Sequence, residues 1–124
     1  MAVGLLGPFR RFLSRMAESD EQRYAEEIEA WAAKVPGAVR IREAGTRSRV
    51  KLAGVVRRIT VRPLEGNESL EALLYDGTGE VTLIWMGRRS IHGLNLGTRL
   101  IVEGVVGEQR NERRIVNPVF EFGG

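Results

Sequence analysis

Leu70–Arg89 reads LEALLYDGTGEVTLIWMGRR, two apolar runs, Leu70–Tyr75 and Val81–Met86, around the turn Asp76-Gly77-Thr78-Gly79-Glu80. Both runs are rich in strand-forming residues. Glycine tolerates the positive φ that tight hairpin loops demand. An Asp at the start of such a turn accepts hydrogen bonds from the backbone two residues on, so Asp76 reads as a structural cap. The stretch is expected to form a β-hairpin. Its alternation puts Val81, Leu83 and Trp85 on one face and Ile84 and Met86 on the other. Gly87-Arg88-Arg89 follows at once, which sets an aromatic strand beside paired arginines.

Working outward, Val50–Val61 (VKLAGVVRRITV) is a long strand in which Gly54 marks a bulge or bend. Beyond Gly54 the run Val56-Arg57-Arg58-Ile59 does not alternate, so its facing stays open. Pro63 and Gly66-Asn67 turn the chain into the hairpin. On the other side, Arg88–Gly97 is too short for more than one helical turn, and its Ile91, Leu94 and Leu96 are placed to plug a barrel end. Thr98–Val106 alternates as a strand, and Gly107–Arg113 is a polar hairpin loop. Arg114–Phe122 (RIVNPVFEF) is a last strand, with Pro118 confined to an edge or bulge because it has no N–H to donate. The expected strands are 49–61, 70–76, 80–86, 98–106 and 113–122.

The N-terminal part is helical in pattern. Phe9, Phe12, Leu13 and Met16, preceded by Leu5 and Leu6, make one apolar stripe after Pro8, and Arg10, Arg11 and Arg15 take the other side. A short basic amphipathic helix of this kind packs on its own domain, on a partner or on a membrane surface. Ser19-Asp20-Glu21-Gln22 reads as a capping box opening a second helix. Tyr24, Ile28, Trp31 and Val35 line one face of it, and Pro36-Gly37 stops it. The expected organisation is a helical segment over 1–37, a linker over 38–48 and a β domain over 49–124.

With 124 residues, 43% of them apolar, one domain and one modest core are expected. No apolar run reaches the ~18 residues of a membrane span, so no integral membrane association is expected. Met1–Leu6 lacks the basic start and small-residue cleavage site of a signal peptide. The absence of cysteine removes disulfides, thiolate catalysis and zinc–thiolate sites, and fits a reducing cytoplasm. The net charge of +3 is unevenly spread: up to Gly37 acids exceed bases by one, and from Ala38 onward bases exceed acids by four. Nearly all the cations are Arg, the better residue for bidentate phosphate contacts. His92 is the only histidine and has no ligand or triad partners near it in sequence. Gly77-Thr78-Gly79 lacks the Lys-Ser/Thr and the helix of a phosphate cradle. No catalytic residues, metal or cofactor are expected, and the chain does not read as an enzyme.

A meander of three strands, a plug and a final hairpin is the strand order of the OB fold, a five-stranded Greek-key barrel. Val50–Phe122 resembles the OB-fold nucleic-acid-binding family that includes the anticodon-binding domains of tRNA synthetases and the wedge domain of the RecG helicase. The resemblance rests on Val55-Val56 after Gly54, on Tyr75-Asp76-Gly77-Thr78-Gly79-Glu80-Val81, on Leu96-Gly97, on Val102-Glu103-Gly104-Val105-Val106 and on Asn117-Pro118-Val119-Phe120-Glu121. With Trp85-Met86-Gly87-Arg88-Arg89, the whole is also similar to small actinobacterial OB-fold proteins with a helical N-terminus. It departs from members that carry a full helix between strands 3 and 4. The resemblance implies a mainly β protein, an OB barrel preceded by one or two α-helices. It implies single-stranded or branched DNA or RNA as partner, bound across strands 2 and 3 and the 1–2 and 4–5 loops.

On that geometry, bases stack on aromatics and arginines follow the backbone. The candidates are Tyr75 and Trp85 near the hairpin, Arg57, Arg58 and Arg62 on and after strand 1, Arg88 and Arg89 after strand 3, and Arg110, Arg113 and Arg114 in and after the last loop. Trp85 stands open between stacking platform and core, and Tyr75 between platform and barrel end. Glu65, Glu68, Glu71, Glu108 and Glu112 surround these arginines and predict weak, salt-sensitive binding. The alternative is a protein-interaction module that docks or self-associates through the barrel and the Tyr24–Trp31 helix.

Overall fold

Alternation in the strands, with glycine where they must bend, closes the sheet into a barrel. The computed structural model describes residues 2–64 and 67–124, and no side chains of residues 2–8 or of Leu64. Glu65, the Gly66 part of the expected turn and the side chains of Leu5, Leu6 and Pro8 lie outside the described residues. A helix α1 (Ala2–Ala33) and a 3-10 turn (Ile41–Glu43) precede strands β1 (Arg49–Leu64), β2 (Asn67–Tyr75), β3 (Glu80–Met86), β4 (Arg99–Gln109), β5 (Glu112–Val116) and β6 (Val119–Phe122). The strands run β1–β2–β3–β5–β4, and β4 pairs back with β1 to close the ring. Every pairing is antiparallel except β3 with β5. This is the expected OB-type barrel.

β1 belongs to two parts of the wall. Arg49–Val55 pairs with β4, and Val55–Leu64 pairs with β2. Gly54 sits at the changeover, where an added Cβ would stand 2.5 Å from the Tyr75 carbonyl oxygen. The bulge falls later, at Arg57, between the pairs Val56↔Leu74 and Arg58↔Leu73. It resolves the facing left open by the sequence: Val56 is buried, and Arg57 and Arg58 are both exposed.

The single last strand expected over 113–122 is two. Asn117 takes a left-handed φ of 52° and Pro118 has no N–H, so the ladder breaks between β5 and β6. β5 then pairs with the end of β4 and β6 with its beginning. The core is drawn from one face of each strand and includes Leu52, Leu74, Leu83, Leu100 and Ile115. Leu94 belongs to it and Ile91 packs against it, as a plug should, but Leu96 is exposed. Ile41 and Ala44, from the stretch read as a linker, are core residues as well.

The two helical patterns form one continuous helix. No Gly or Pro lies between Phe9 and Ala33, so nothing ends the first pattern. Ser19 is mid-helix, where a capping box has no free N–H groups to serve. The helix ends at Ala33, and bonds from Lys34 N to Trp31 O (3.0 Å) and Val35 N to Ala32 O (3.1 Å) tighten its last turn. Its C-terminal part docks beside β1: Ile28 and Ala32 on the helix and Ala53 and Val55 on the strand are buried together outside the main core. Trp31 lies beside Gly123 and 5.0 Å from the Arg99 guanidinium. Residues 9–24 are all exposed, so this half of the helix projects from the barrel.

Candidate nucleic-acid interface

The strand register leaves one barrel wall outside the core and uncovered by α1. Leu70, Ala72 and Leu74 of β2 and Val81, Leu83 and Trp85 of β3 point inward. Glu71 and Leu73 of β2, with Thr82, Ile84 and Met86 of β3, therefore form an outer floor. β5 lies parallel to β3 and sets Arg114 opposite Thr82 and Val116 opposite Ile84. The β4–β5 connection is a two-residue turn, Arg110-Asn111, both at positive φ (54° and 64°), which suits the twist of a tight hairpin.

Together these elements frame a groove of about 610 Å³ lined by Arg62, Ser69, Glu71, Thr82, Ile84, Met86, Gln109, Arg110, Glu112, Arg113 and Arg114. A hollow of about 330 Å³ adjoins it and shares Thr82, Glu112 and Arg113, adding Arg58, Leu73, Glu80 and Asn111. No lining residue comes from α1. The trough thus gathers Arg58, Arg62, Arg110, Arg113 and Arg114 against Glu71, Glu80 and Glu112.

These arginines are not equally available. Arg62 is ion-paired with Glu71 across β1 and β2, and the Arg114 guanidinium donates to Gln109 Oε1. Arg113 donates from Nε to Ala44 O (3.3 Å) and from Nη2 to Arg42 O (2.7 Å), so it tethers the chain around the 3-10 turn to β5. Arg57 lies over the Tyr75 ring at 3.8 Å, a cation–π pair at the hairpin end of the wall. Arg88 and Arg89 lie beyond the Met86 end of β3 and do not line the groove. Arg89 pairs with Glu68 at 3.0 Å.

Trp85, left open between platform and core, is core, and it drops out of the candidate contacts. It is 4% exposed, its Nε1 donates to Pro118 O at 3.1 Å, and its ring meets Phe120 edge to face at 5.5 Å. An indole N–H taken from water needs such an acceptor, and the β5–β6 break supplies one. Asn117 completes the corner: its N–H donates to Ile84 O (2.6 Å), and its Oδ1 accepts from Met86 N (2.9 Å). The groove floor is consequently aliphatic. Leu73, Ile84 and Met86 were legible from the hairpin alternation once Trp85 was known to point inward. Glu112 was among the acids expected near the arginines, and Glu80, at the start of β3, shares the outer alternation of Thr82, Ile84 and Met86 but was not singled out.

The hairpin end is held by Asp76. Its Oδ1 accepts from Thr78 N (2.9 Å), Gly79 N (3.1 Å) and Thr78 Oγ1 (2.6 Å), and its Oδ2 accepts from Ile41 N (2.8 Å). Gly77, at φ 91°, lies against α1, where a Cβ would stand 2.6 Å from Ala25 O. One carboxylate therefore joins the turn to the segment between α1 and β1. Among the described residues no three His, Asp or Glu side chains gather into a metal site, and His92 is exposed. No described helix is long and apolar enough to cross a membrane.

No protein-family model matches the sequence, and no curated protein matches it either. The finer resemblance to small actinobacterial proteins gains no support from those comparisons. Among solved structures, one titled "Structure of RecG bound to three-way DNA junction" matches 68% of this chain at a TM-score of 0.59 and 18% identity. The match spans 12% of that chain, so the likeness is of one small barrel, and at this identity it is a likeness of fold.

Proposed function

We propose that this chain is a non-catalytic OB-fold protein that takes single-stranded or branched nucleic acid in the groove over β2, β3 and β5. One observation carries the reading: arginines from β1, the β4–β5 turn and β5 converge on a groove that α1 does not cover, whose floor exposes Met86 and part of Leu73 over a buried Ile84. Phosphates would follow Arg58, Arg62, Arg110 and Arg114, and bases would rest on Met86 and the exposed part of Leu73. The Arg57–Tyr75 pair offers a stacking surface at one end, and Arg88 and Arg89 extend the positive track at the other. Without an aromatic platform in the middle, and with Glu71, Glu80 and Glu112 beside the phosphates, affinity rests on counterion release and falls steeply with salt. The likeness to a protein bound to a three-way DNA junction makes a branched probe a natural choice beside a single strand.

The test is fluorescence anisotropy with labelled oligothymidylate and a labelled three-way junction at two salt concentrations. Arg58→Gln, Arg62→Gln, Arg110→Gln and Arg114→Gln are combined in one variant; Arg113 is spared because it holds the fold. Each phosphate contact removed should flatten the logarithmic salt slope by about 0.7 on a single strand. Wild-type protein that binds neither probe at low salt, or a combined variant that binds as wild type does, would defeat the proposal.

A further inference from the structure

The projecting half of α1 has the composition of a surface anchor and no use in the barrel. Phe9 and Phe12 are each 59% exposed, Leu13 48% and Met16 50%. They follow the spacing of one helical face, within a run in which every residue from 9 to 24 is exposed. At about 100° per residue this stripe lies roughly 120° around the axis from the Ala25, Ile28, Trp31 and Ala32 side that meets the barrel. It is therefore not an unused extension of the barrel contact. The stripe also stops abruptly, since the same face carries Asp20, Arg23 and Glu27 further along.

Charge divides at the same place. Residues 2–17 contain Arg10, Arg11 and Arg15 and no acid, whereas residues 18–33 contain Glu18, Asp20, Glu21, Glu26, Glu27 and Glu29 with Arg23 as the only base. We propose that the first half of α1 is a peripheral anchor that lays Phe9, Phe12, Leu13 and Met16 into the headgroup–acyl boundary of an anionic bilayer, with Arg10 and Arg15 on the lipid phosphates. Arg10 and Arg15 lie roughly 110° to either side of the stripe and Arg11 behind it, and an apolar face with a basic polar face is the pattern of helices that lie in that boundary. The acidic second half is repelled by the same surface, which lifts the barrel and its groove away from the lipid.

A second copy of the chain fits less well. Pairing the stripe with itself brings the two arginine clusters together, and a longer antiparallel overlap sets Asp20, Arg23 and Glu27 on the stripe.

The full chain is tested by flotation with vesicles of equal parts phosphatidylglycerol and phosphatidylcholine, against vesicles of phosphatidylcholine alone. The protein should float with the first and not the second. Phe12→Glu should abolish flotation, each of Arg10→Gln and Arg15→Gln should lower partitioning about five-fold, and Arg11→Gln, on the far side of the helix, should lower it less. These side chains are exposed, so circular dichroism and urea midpoint should stay at wild-type values, and the groove variant should float normally. Absence of flotation on the anionic vesicles overturns the proposal, as does Phe12→Glu floating like wild type. A dimer seen by light scattering that Phe12→Glu dissolves, without flotation, would assign the stripe to a second copy and overturn it too.

Discussion

Replacing Asp76 by Ala should cost more stability than removal of any ion pair on this barrel. Asp76 is 2% exposed, and its carboxylate accepts from Ile41 N, Thr78 N, Gly79 N and Thr78 Oγ1. Ile41 is itself fully buried in the core, so its N–H has no water to turn to. An orphaned buried donor costs about 1–3 kcal/mol, and hydrogen bonds to a charged group about 1.5–3 kcal/mol each. The Thr78 and Gly79 donors are only partly buried and recover part of their loss in water. The expected total for Asp76→Ala is about 3–5 kcal/mol. Asp76→Asn can keep the turn bonds through its one oxygen but then points an N–H at Ile41 N–H, for a loss of about 1.5–3 kcal/mol. Urea denaturation followed by circular dichroism reads both; at a slope of about 1.5 kcal/mol/M the alanine midpoint falls by roughly 2–3 M. A loss below about 1 kcal/mol for alanine, or an asparagine variant as stable as wild type, would refute the claim that this carboxylate joins the hairpin to the segment after α1.

The remaining predictions address the groove, the wall and the helix. Glu71→Gln removes the partner of Arg62 and should raise oligonucleotide affinity about two- to five-fold at low salt while changing stability by less than about 1 kcal/mol; an unchanged anisotropy titration counts against the groove. Gly54→Ala should lower stability by about 2–3 kcal/mol in a thermal melt, because the new Cβ meets backbone of Tyr75 and not a side chain that can swing away. Ser19→Ala should slightly increase helical ellipticity, since Ala is the better former mid-helix by about 0.5 kcal/mol. A clear loss would place a helix start at Ser19.

What the sequence determined was local or periodic. Alternation around Asp76–Glu80 announced the hairpin and Asp76 announced its own turn bonds, whereas Pro118 announced an edge or bulge in one last strand and not its division into β5 and β6. The order of the strands, together with the resemblance to the OB fold, pointed to the barrel. Pattern of period two yields two faces, however, without saying which is inside. Trp85 turned inward because Pro118 O, distant in sequence, offers its indole N–H an acceptor in the core.

Long-range packing likewise decided which arginines meet. The parallel pairing of β5 with β3 carries Arg114 and Glu112 to the groove that Arg58 and Arg62 reach from β1, while Arg88 and Arg89, next to the hairpin in sequence, fall outside it. Arg113 looked like a phosphate contact, and folding gave it the carbonyls of Arg42 and Ala44. Local sequence sets which conformations a segment can hold; the partners that satisfy a buried donor or neutralise a charge come from segments far along the chain, and only the closed barrel chooses among them.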